Sequence, residues 1–262
     1  MSRKHIKKIY SSDDPGNSIC AIIPAAGCGR RMKSYGPKAL LEINNKTIVT
    51  NQINILEKLV PFINISLVCG FKSEKLMKHV PERIIKIENE LYETTNVVRS
   101  IGVGLRTIQE SGTLLLVYGD LFFNETAIKC LDLSYSCILI NDDTMTDEEV
   151  GCIVDEDGFL QNMMYDLPNK WAQVAVFNGA ELKLLKQLCW DKKNYHKFGF
   201  EIINEIIEKG GKFACLKHKK CKVIDIDTSK DIDEPRKFLN ENSTSKFIFS
   251  LYNRAFECVK NS

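Results

Sequence analysis

An apolar segment leading into a glycine-rich, basic loop constrains this chain more than any other feature of its sequence. Residues 18–24 are short, apolar and bounded by turn formers, which predicts a buried strand. Gly27 and Gly29 follow directly, and neither carries a Cβ that would keep a ligand away from the backbone. Consecutive amide N–H groups in such a turn form a concave anion site. The stretch therefore predicts a phosphate cradle at the end of a strand.

Three cations surround this predicted cradle. Arg30 and Arg31 directly follow the second glycine, and Lys38 lies in the segment Pro-Lys-Ala-Leu at 37–40. A guanidinium grips phosphate oxygens through two hydrogen bonds, whereas a lysine ammonium is a movable point charge. The spacing is not that of a P-loop, and Met32 occupies the third small position of a dinucleotide fingerprint. A tight surface turn with solvated arginines is the alternative interpretation.

The same stretch resembles the signature of the nucleotidyltransferases that activate sugar phosphates and choline-type phosphates. That signature reads Ala-Ala-Gly-x-Gly-x-Arg-Met and, a few residues later, Pro-Lys-Ala-Leu. Every fixed position is present here, as Ala25, Ala26, Gly27, Gly29, Arg31, Met32, Pro37, Lys38, Ala39 and Leu40. The resemblance implies that Arg31 and Lys38 are catalytic phosphate-contacting cations, and that residues 25–29, with Cys28 among them, bind the nucleotide.

Strand and helix patterns alternate along the first half of the chain. Residues 39–43 predict a second strand, Thr47 is a candidate N-cap of a helix that ends before Pro61, and Ser73 is a candidate N-cap of the next helix. Such alternation predicts right-handed crossovers and a mainly parallel sheet with helices on both faces. We therefore expect an α/β fold, a three-layer α/β/α sandwich with a Rossmann-like sheet. The resemblance implies that this sheet is of the nucleotidyltransferase (GT-A-like) type. Ligands of such sheets bind at the carboxyl ends of the strands.

Two aspartates are candidate metal ligands. Asp120 ends the apolar segment 112–119, where a helix cap is the alternative role, and Asp227 lies in a segment similar to the family's Glu-Ile-Asp-Thr-Pro-Glu-Asp. The resemblance implies that Asp120 and Asp227 hold Mg²⁺, a hard cation that prefers oxygen ligands and triphosphates. Asp225 stands where the family has a glutamate, and it is not assigned as a ligand.

A segment before the third predicted helix is a candidate base-binding region. It resembles a pattern of choline-phosphate and aminoethylphosphonate cytidylyltransferases, and the matching residues are Asn89, Tyr92, Thr95, Asn96 and Ser100. The resemblance implies that this segment reads the base, and amide side chains with both a donor and an acceptor suit a pyrimidine edge. The competing interpretation is a simple helix start, because Thr94, Thr95 and Asn96 are all good cap residues.

The acceptor region is predicted around a hairpin that interrupts the alternation. Residues 155–158 form a turn signal between two strand-like segments, which predicts a small antiparallel insertion. In the resembling family such an insertion covers the acceptor, which makes Tyr165 and Trp171 candidate acceptor-binding residues. Glu201 is a third candidate, because a carboxylate suits an ammonium-bearing acceptor, although a solvated helix face is the simpler interpretation of this glutamate.

Composition limits the partners and the compartment. The formal net charge of +2, from 36 basic and 34 acidic residues, is too balanced for a nucleic-acid footprint, so we expect a small anionic substrate. Ten cysteines without a Cys-x-x-Cys pair argue against zinc and favour a reducing cytoplasm. Apolar runs are too short to cross a membrane, and residues 1–17 lack the apolar core of a signal peptide. We expect a loose extension over 1–17, one catalytic domain over 18–240, and a tail over 241–262 that forms a further helix or a homodimer contact.

The expected reaction couples a nucleoside triphosphate to a small phospho-acceptor and releases pyrophosphate. CTP is favoured, with phosphocholine, phosphoethanolamine or an aminoalkylphosphonate as the acceptor. The alternatives are a sugar 1-phosphate with UTP or dTTP, and a non-catalytic relative that binds nucleotide and regulates a partner. A glycosyltransferase of similar fold is less favoured, because Asp-x-Asp occurs only at Asp155, Asp225 and Asp231, outside the predicted central strand.

Overall fold

The computed structural model describes residues 18–29, 36–109, 112–141, 149–227 and 229–239. Arg30 and Arg31 of the glycine loop lie outside the described residues, so the role of Arg31 stays a prediction. The predicted extension over 1–17 and the predicted tail over 241–262 also lie outside them. In the part of the chain that is described, no helix combines the length and the apolar character needed to cross a bilayer.

Strands and helices alternate as the sequence predicts. The strands are β1 Ile19–Ala25, β2 Glu42–Ile43, β3 Lys46–Thr47, β4 Asn64–Cys69, β5 Ile85–Glu88, β6 Thr113–Val117, β7 Leu121–Phe123, β8 Cys137–Asn141, β9 Val150–Val154, β10 Leu160–Tyr165, β11 Lys170–Phe177, β12 Ala214–Leu216 and β13 Val223–Asp225. The helices are α1 Ile48–Leu59, α2 Ser73–His79, α3 Val97–Gly104, α4 Glu125–Lys129, α5 Gly179–Trp190, α6 Gly199–Glu208 and α7 over 233–239. Short 3-10 helices lie at Lys38–Leu40, Leu105–Thr107, Lys192–Asn194 and Ser229–Ile232.

A mixed sheet with a parallel centre forms the middle layer. Strand β1 pairs in parallel with both β4 and β6, and β4 pairs in parallel with β5. Strand β11 then adds antiparallel to β6 and joins the β9–β10 hairpin and β8 to the sheet. A smaller second sheet consists of β7 and β13. The predicted α/β class and the antiparallel insertion are therefore confirmed.

Two apolar cores, one on each face of the sheet, make the fold three-layered. Alternate residues of β1 point to opposite faces, so Ala21 and Ile23 enter one core and Cys20 and Ile22 the other. Helices α1, α2 and α4 cover the first core, and α3, α5 and α6 cover the second. Because both faces are buried, β1 is apolar throughout rather than alternating, as is typical of a central parallel strand.

Two local predictions are wrong. Residues 39–43 are not one strand, because Leu40 and Leu41 donate backbone hydrogen bonds back to Pro37 and Lys38 and form a 3-10 turn before β2. Ser73 does not cap α2. Lys72 occupies the N-cap position with a φ of 50°, and the Ser73 hydroxyl donates to Glu88 at 2.6 Å.

The predicted caps of α1 and α3 are confirmed. The Thr47 side chain accepts from the backbone N–H of Thr50, and Asn96 Oδ1 accepts from that of Val97. Asn96 therefore fixes the start of α3 and lies within the segment that the sequence predicts to bind the base.

Candidate active site

The glycine loop leaves the sheet at the carboxyl end of β1, between two further glycines. A Cβ on Gly70 would lie 2.7 Å from the carbonyl oxygen of Ala26, and one on Gly119 would lie 2.7 Å from the Cβ of Ala25. These glycines let the ends of β4 and β6 approach the loop closely. A Cβ on Gly27 itself would meet no atom of the described residues within 4 Å. The space beside the Gly27 backbone is thus not filled by any described residue, as a phosphate cradle requires.

Three aspartates meet at the same edge because two short strands pair. Asp120 follows β6 and immediately precedes β7, which pairs antiparallel with β13 so that Asp225 lies opposite Leu121. The backbone N–H of Ile226 also donates to the carbonyl of Asp120 at 3.1 Å. As a result, Asp120, Asp225 and Asp227 each present a carboxylate oxygen within 4.8 Å of the others.

Lys38 joins the glycine loop to the carboxylates. Its Nζ lies 3.4 Å from Asp120 Oδ2 and also donates to Asp227 Oδ1. The side chain passes Gly29, since a Cβ on that residue would lie 3.3 Å from Lys38 Cγ. Lys38 and Asp120, which are 82 positions apart in the sequence, are therefore in direct contact.

Burial and like charges set the ionisation of these groups. Burial raises the pKa of Asp120, with the Lys38 ammonium opposing the shift. Burial, followed by the charges of Asp120 and Asp227, raises the pKa of Asp225 to about 7. Burial acts to lower the pKa of Lys38, but Asp120 and Asp227 outweigh it and the pKa rises, so Lys38 is charged at neutral pH.

The donor set fits a hard divalent cation. Three carboxylates and one ammonium leave an excess of negative charge when all four groups are ionised, and every available donor is an oxygen. Asp225 Oδ1 is buried and has no hydrogen-bond partner within the part of the chain that the structure describes. Mg²⁺ prefers such oxygen ligands, completed by water and phosphate. Asp120 and Asp227 would hold it as predicted, and Asp225 stands beside them.

A cavity of about 250 Å³ opens next to these groups. Its lining residues are Pro24, Ala26, Gly27, Asn89, Tyr92, Thr95, Asn96, Val97, Ser100, Tyr118, Asp120 and Phe198. Six of the predicted nucleotide-binding residues, from Ala26 to Ser100, therefore share one cavity with the metal candidate Asp120. Ala25 and the pair Cys28 and Gly29 adjoin Ala26 and Gly27 in the chain but do not line this cavity.

Residues 89–100 form one wall of the cavity, and hydrogen bonds within this segment fix its conformation. Asn89 is 1% exposed, and its Nδ2 donates to Ser100 Oγ at 3.1 Å while its Oδ1 accepts from the N–H of Leu91 at 3.1 Å. Thr95 Oγ1 donates to the carbonyl of Leu91 at 2.6 Å. Asn89 and Thr95 thus hold the wall in place, and Asn89 in particular has its amide groups engaged within it.

The three predicted acceptor residues do not line this cavity themselves. Trp171 is 5% exposed and packs edge to face on Tyr118, with ring centroids 5.7 Å apart. Tyr165 packs in the same way on Phe200 at 5.5 Å. Glu201 accepts from the backbone N–H of Phe198 at 2.7 Å and so caps the start of α6.

Tyr118 and Phe198 line the cavity instead, and the sequence interpretation missed both. Phe198 is 48% exposed and stacks on Phe200 at 6.1 Å. A signal for Tyr118 existed, because it directly precedes the Gly-Asp pair at the end of β6. No local signal marks Phe198, which reaches the cavity only through the packing of α6.

Comparisons with known proteins find relatives of part of the sequence and of the fold. Over 113 residues, 42% of this chain and 24% of the relative, the chain is 31% identical to the bifunctional protein GlmU of Thermosipho melanesiensis. The chain thus spans about a quarter of the length of that curated relative. The solved CTP:phosphocholine cytidylyltransferase of Streptococcus pneumoniae has a TM-score of 0.68 and 17% identity, with 85% of this chain and 99% of that chain covered. A UDP-glucose pyrophosphorylase in complex with UDP-glucose has a TM-score of 0.66 and 13% identity, with coverage of 86% and 99%.

The sheet architecture is that of solved nucleotidyltransferases. The strand, glycine loop, lysine and carboxylates described above lie together at the carboxyl edge of this sheet. Residues 21–136 match the family model described as the MobA-like NTP transferase domain. The match begins in β1 and ends just before β8, and it includes both Lys38 and Asp120.

Proposed function

We propose that this protein is a Mg²⁺-dependent nucleotidyltransferase that joins a nucleoside triphosphate to a small phosphate- or phosphonate-bearing acceptor. One observation carries the proposal: Lys38 links the glycine loop to Asp120 and Asp227 beside a cavity lined by Gly27 and Asn96. The residues proposed to bind the phosphates, the metal and the base thus surround one cavity. Phosphoryl-type transfer needs positioning and charge stabilisation rather than a protein nucleophile, and these are the groups present.

In the proposed reaction an acceptor oxygen attacks the α-phosphorus of the triphosphate. A new O–P bond forms, the bond from the α-phosphorus to the bridging oxygen breaks, and pyrophosphate leaves with the electron pair. The amides of residues 27–29 and Arg31 hold the β- and γ-phosphates, and Lys38 holds the α-phosphate and the incoming oxygen. Asp120 and Asp227 would hold Mg²⁺, which would neutralise part of the charge of the phosphates when bound.

CTP is the favoured nucleotide, and the acceptor is phosphocholine, phosphoethanolamine or an aminoalkylphosphonate. The sequence pattern over 89–100 supports CTP, and residues of that segment line the cavity. The presence of two aromatic residues, Tyr118 and Phe198, in the cavity lining supports an acceptor with a cationic head, since cations bind over aromatic rings. Similarity to UDP-glucose pyrophosphorylase keeps a sugar 1-phosphate with UTP as the second candidate.

Pyrophosphate release tests the proposal directly. The purified protein is incubated with Mg²⁺ and each of CTP, UTP, dTTP, ATP and GTP, against phosphocholine, phosphoethanolamine, aminoethylphosphonate and several sugar 1-phosphates. We expect release with CTP that requires one of the amino-alcohol or phosphonate acceptors and stops when EDTA removes the metal.

Each outcome of this panel has a distinct meaning. Release with UTP and a sugar 1-phosphate selects the second candidate. Binding of no triphosphate, measured by equilibrium dialysis with Mg²⁺ present, contradicts the proposed activity as a whole.

A further inference from the structure

A bulge in β11 places one glutamine in an unusual backbone conformation next to the aspartates. Trp171 pairs with Ile140 and Ala175 with Ile138, so four steps along β11 match only two along β8. Gln173 lies in this interval and has a φ of 55°, in the left-handed region that non-glycine residues seldom adopt. Bulges of this kind redirect a side chain and are frequent beside active sites.

The bulge directs the Gln173 amide to a carboxylate of the other sheet. Gln173 Nε2 donates to Asp225 Oδ2 at 2.8 Å. Strand β11 belongs to the central sheet, whereas Asp225 ends β13 of the small second sheet. This hydrogen bond therefore ties the metal-candidate strand to the main body of the fold, across two elements that do not pair with each other.

The bond leaves the second carboxylate oxygen of Asp225 without a described partner. This oxygen, Oδ1, is buried, and none of the described residues forms a hydrogen bond with it. A buried carboxylate oxygen without a partner costs free energy unless a ligand completes it. Asp225 also presents an oxygen within 4.8 Å of those of Asp120 and Asp227, the two residues proposed to hold Mg²⁺.

We propose that Gln173 is a positioning residue that orients Asp225 as a third carboxylate ligand of the divalent cation. This inference rests on the proposed function, because it concerns the same metal. By fixing Oδ2, the amide decides which oxygen of Asp225 faces the ion and holds the carboxylate against repulsion from Asp120 and Asp227. Groups that orient ligands in this way typically change metal affinity by about 10- to 100-fold when they are lost.

One substitution distinguishes this positioning role from a purely structural role of Gln173, because the two roles predict different metal affinities. Gln173→Gly removes the amide but accepts a φ of 55° without strain, so the bulge itself is retained. A structural role predicts unchanged metal affinity in this variant. A positioning role predicts a protein that is as stable as the wild type but binds the ion less tightly.

Mn²⁺ serves as the probe, in a titration followed by electron paramagnetic resonance with CTP present, and thermal unfolding is recorded in parallel. Phe62→Gly is the matched control, because Phe62 also has a positive φ, of 59°, and is 84% exposed on the surface. We expect Gln173→Gly to weaken Mn²⁺ binding roughly 10-fold or more. Phe62→Gly leaves the affinity at the wild-type value.

Equal Mn²⁺ affinity of Gln173→Gly and the wild type overturns the inference and leaves the proposed function intact. A wild-type protein that binds no Mn²⁺ overturns the metal dependence of the proposed function itself. If Asp225→Asn retains full Mn²⁺ affinity while Gln173→Gly loses it, Asp225 is not a ligand and the inference fails as well.

Discussion

Lys38 is a single residue on which several parts of the site depend. Its ammonium contacts Asp120 and Asp227, and its aliphatic chain passes Gly29. In the proposed reaction this charge meets the negative charge that develops at the α-phosphate. We expect Lys38→Ala to reduce single-turnover nucleotidyl transfer on the order of 10³-fold, since cations that stabilise this charge have effects of that size. Equilibrium dialysis should show CTP binding reduced far less, and unchanged turnover would remove Lys38 from the chemistry.

Gly27 allows the cradle itself to be tested without disturbing the fold. A Cβ at this position would meet no atom of residues 18–29 and 36–109 or of the later described ranges within 4 Å, and Gly27 does not have a positive φ, so Gly27→Ala should unfold at the wild-type temperature. The added methyl group would occupy the open space in which phosphates are proposed to lie. We expect triphosphate affinity to fall about 10-fold or more, equivalent to roughly 1.4 kcal/mol.

Gly119→Ala is the counterpart of that variant, because its Cβ would lie 2.7 Å from the Cβ of Ala25 and 2.9 Å from the carbonyl oxygen of Pro24. Overpacking of this kind costs about 1–3 kcal/mol. A Gly27→Ala protein that keeps full triphosphate affinity would show that phosphates do not approach the backbone there.

Among the elements, α4 supports the strand that carries Asp225. Asn124 caps α4 through Oδ1, which accepts from the N–H of Ala127, and its Nδ2 donates to the carbonyl of Lys220 at 2.8 Å. Its backbone N–H also donates to the carbonyl of Lys222, directly before β13. One side chain thus starts a helix and fixes the approach to a metal-candidate strand.

Asn124→Ala should therefore lower both stability and metal affinity. Loss of the cap and of the bond to Lys220 should cost about 2 kcal/mol of unfolding free energy, measured in urea, since each is worth about 1 kcal/mol. Mn²⁺ affinity should fall as well, because β13 loses a support. Thr47→Ala removes the cap of α1 instead and should cost stability alone. Equal Mn²⁺ affinity in Asn124→Ala and Thr47→Ala would show that α4 does not support the metal site.

Local sequence patterns predict the elements well but not the contacts between distant ones. β1, the cap of α1 and the β9–β10 hairpin follow from apolar runs and turn residues within a few positions. The cap at Ser73 is wrong because its hydroxyl bonds to Glu88 of a neighbouring strand instead. The places of Asp225 and Gln173 in the site could not be predicted from the sequence for the same reason. Asp225 is brought there by the pairing of β7 with β13, and Gln173 by a bulge in β11.

In the molecule as a whole, the apolar cores and the candidate site occupy different parts of the sheet. The two apolar cores fill both faces of the sheet, while the carboxyl edge gathers glycines, carboxylates and Lys38. The cavity walls come from β1, the segment over 89–100, the end of β6 and the start of α6. A nucleotide bound there contacts parts that only the folded chain brings together, so binding and folding are thermodynamically linked.

That linkage predicts a ligand-dependent shift in the unfolding temperature of the entire chain. At a CTP–Mg²⁺ concentration of about 100 times Kd, the folded state gains about 2.7 kcal/mol. For a protein of this size each kcal/mol raises Tm by about 2–4 °C, so we expect a shift of roughly 5–10 °C by calorimetry. Mg²⁺ without CTP should give a smaller shift. In Asp120→Asn the Mg²⁺-dependent part should disappear, because a carboxylate proposed to hold the ion becomes a neutral amide. A variant that shifts as far as the wild type would place the metal elsewhere.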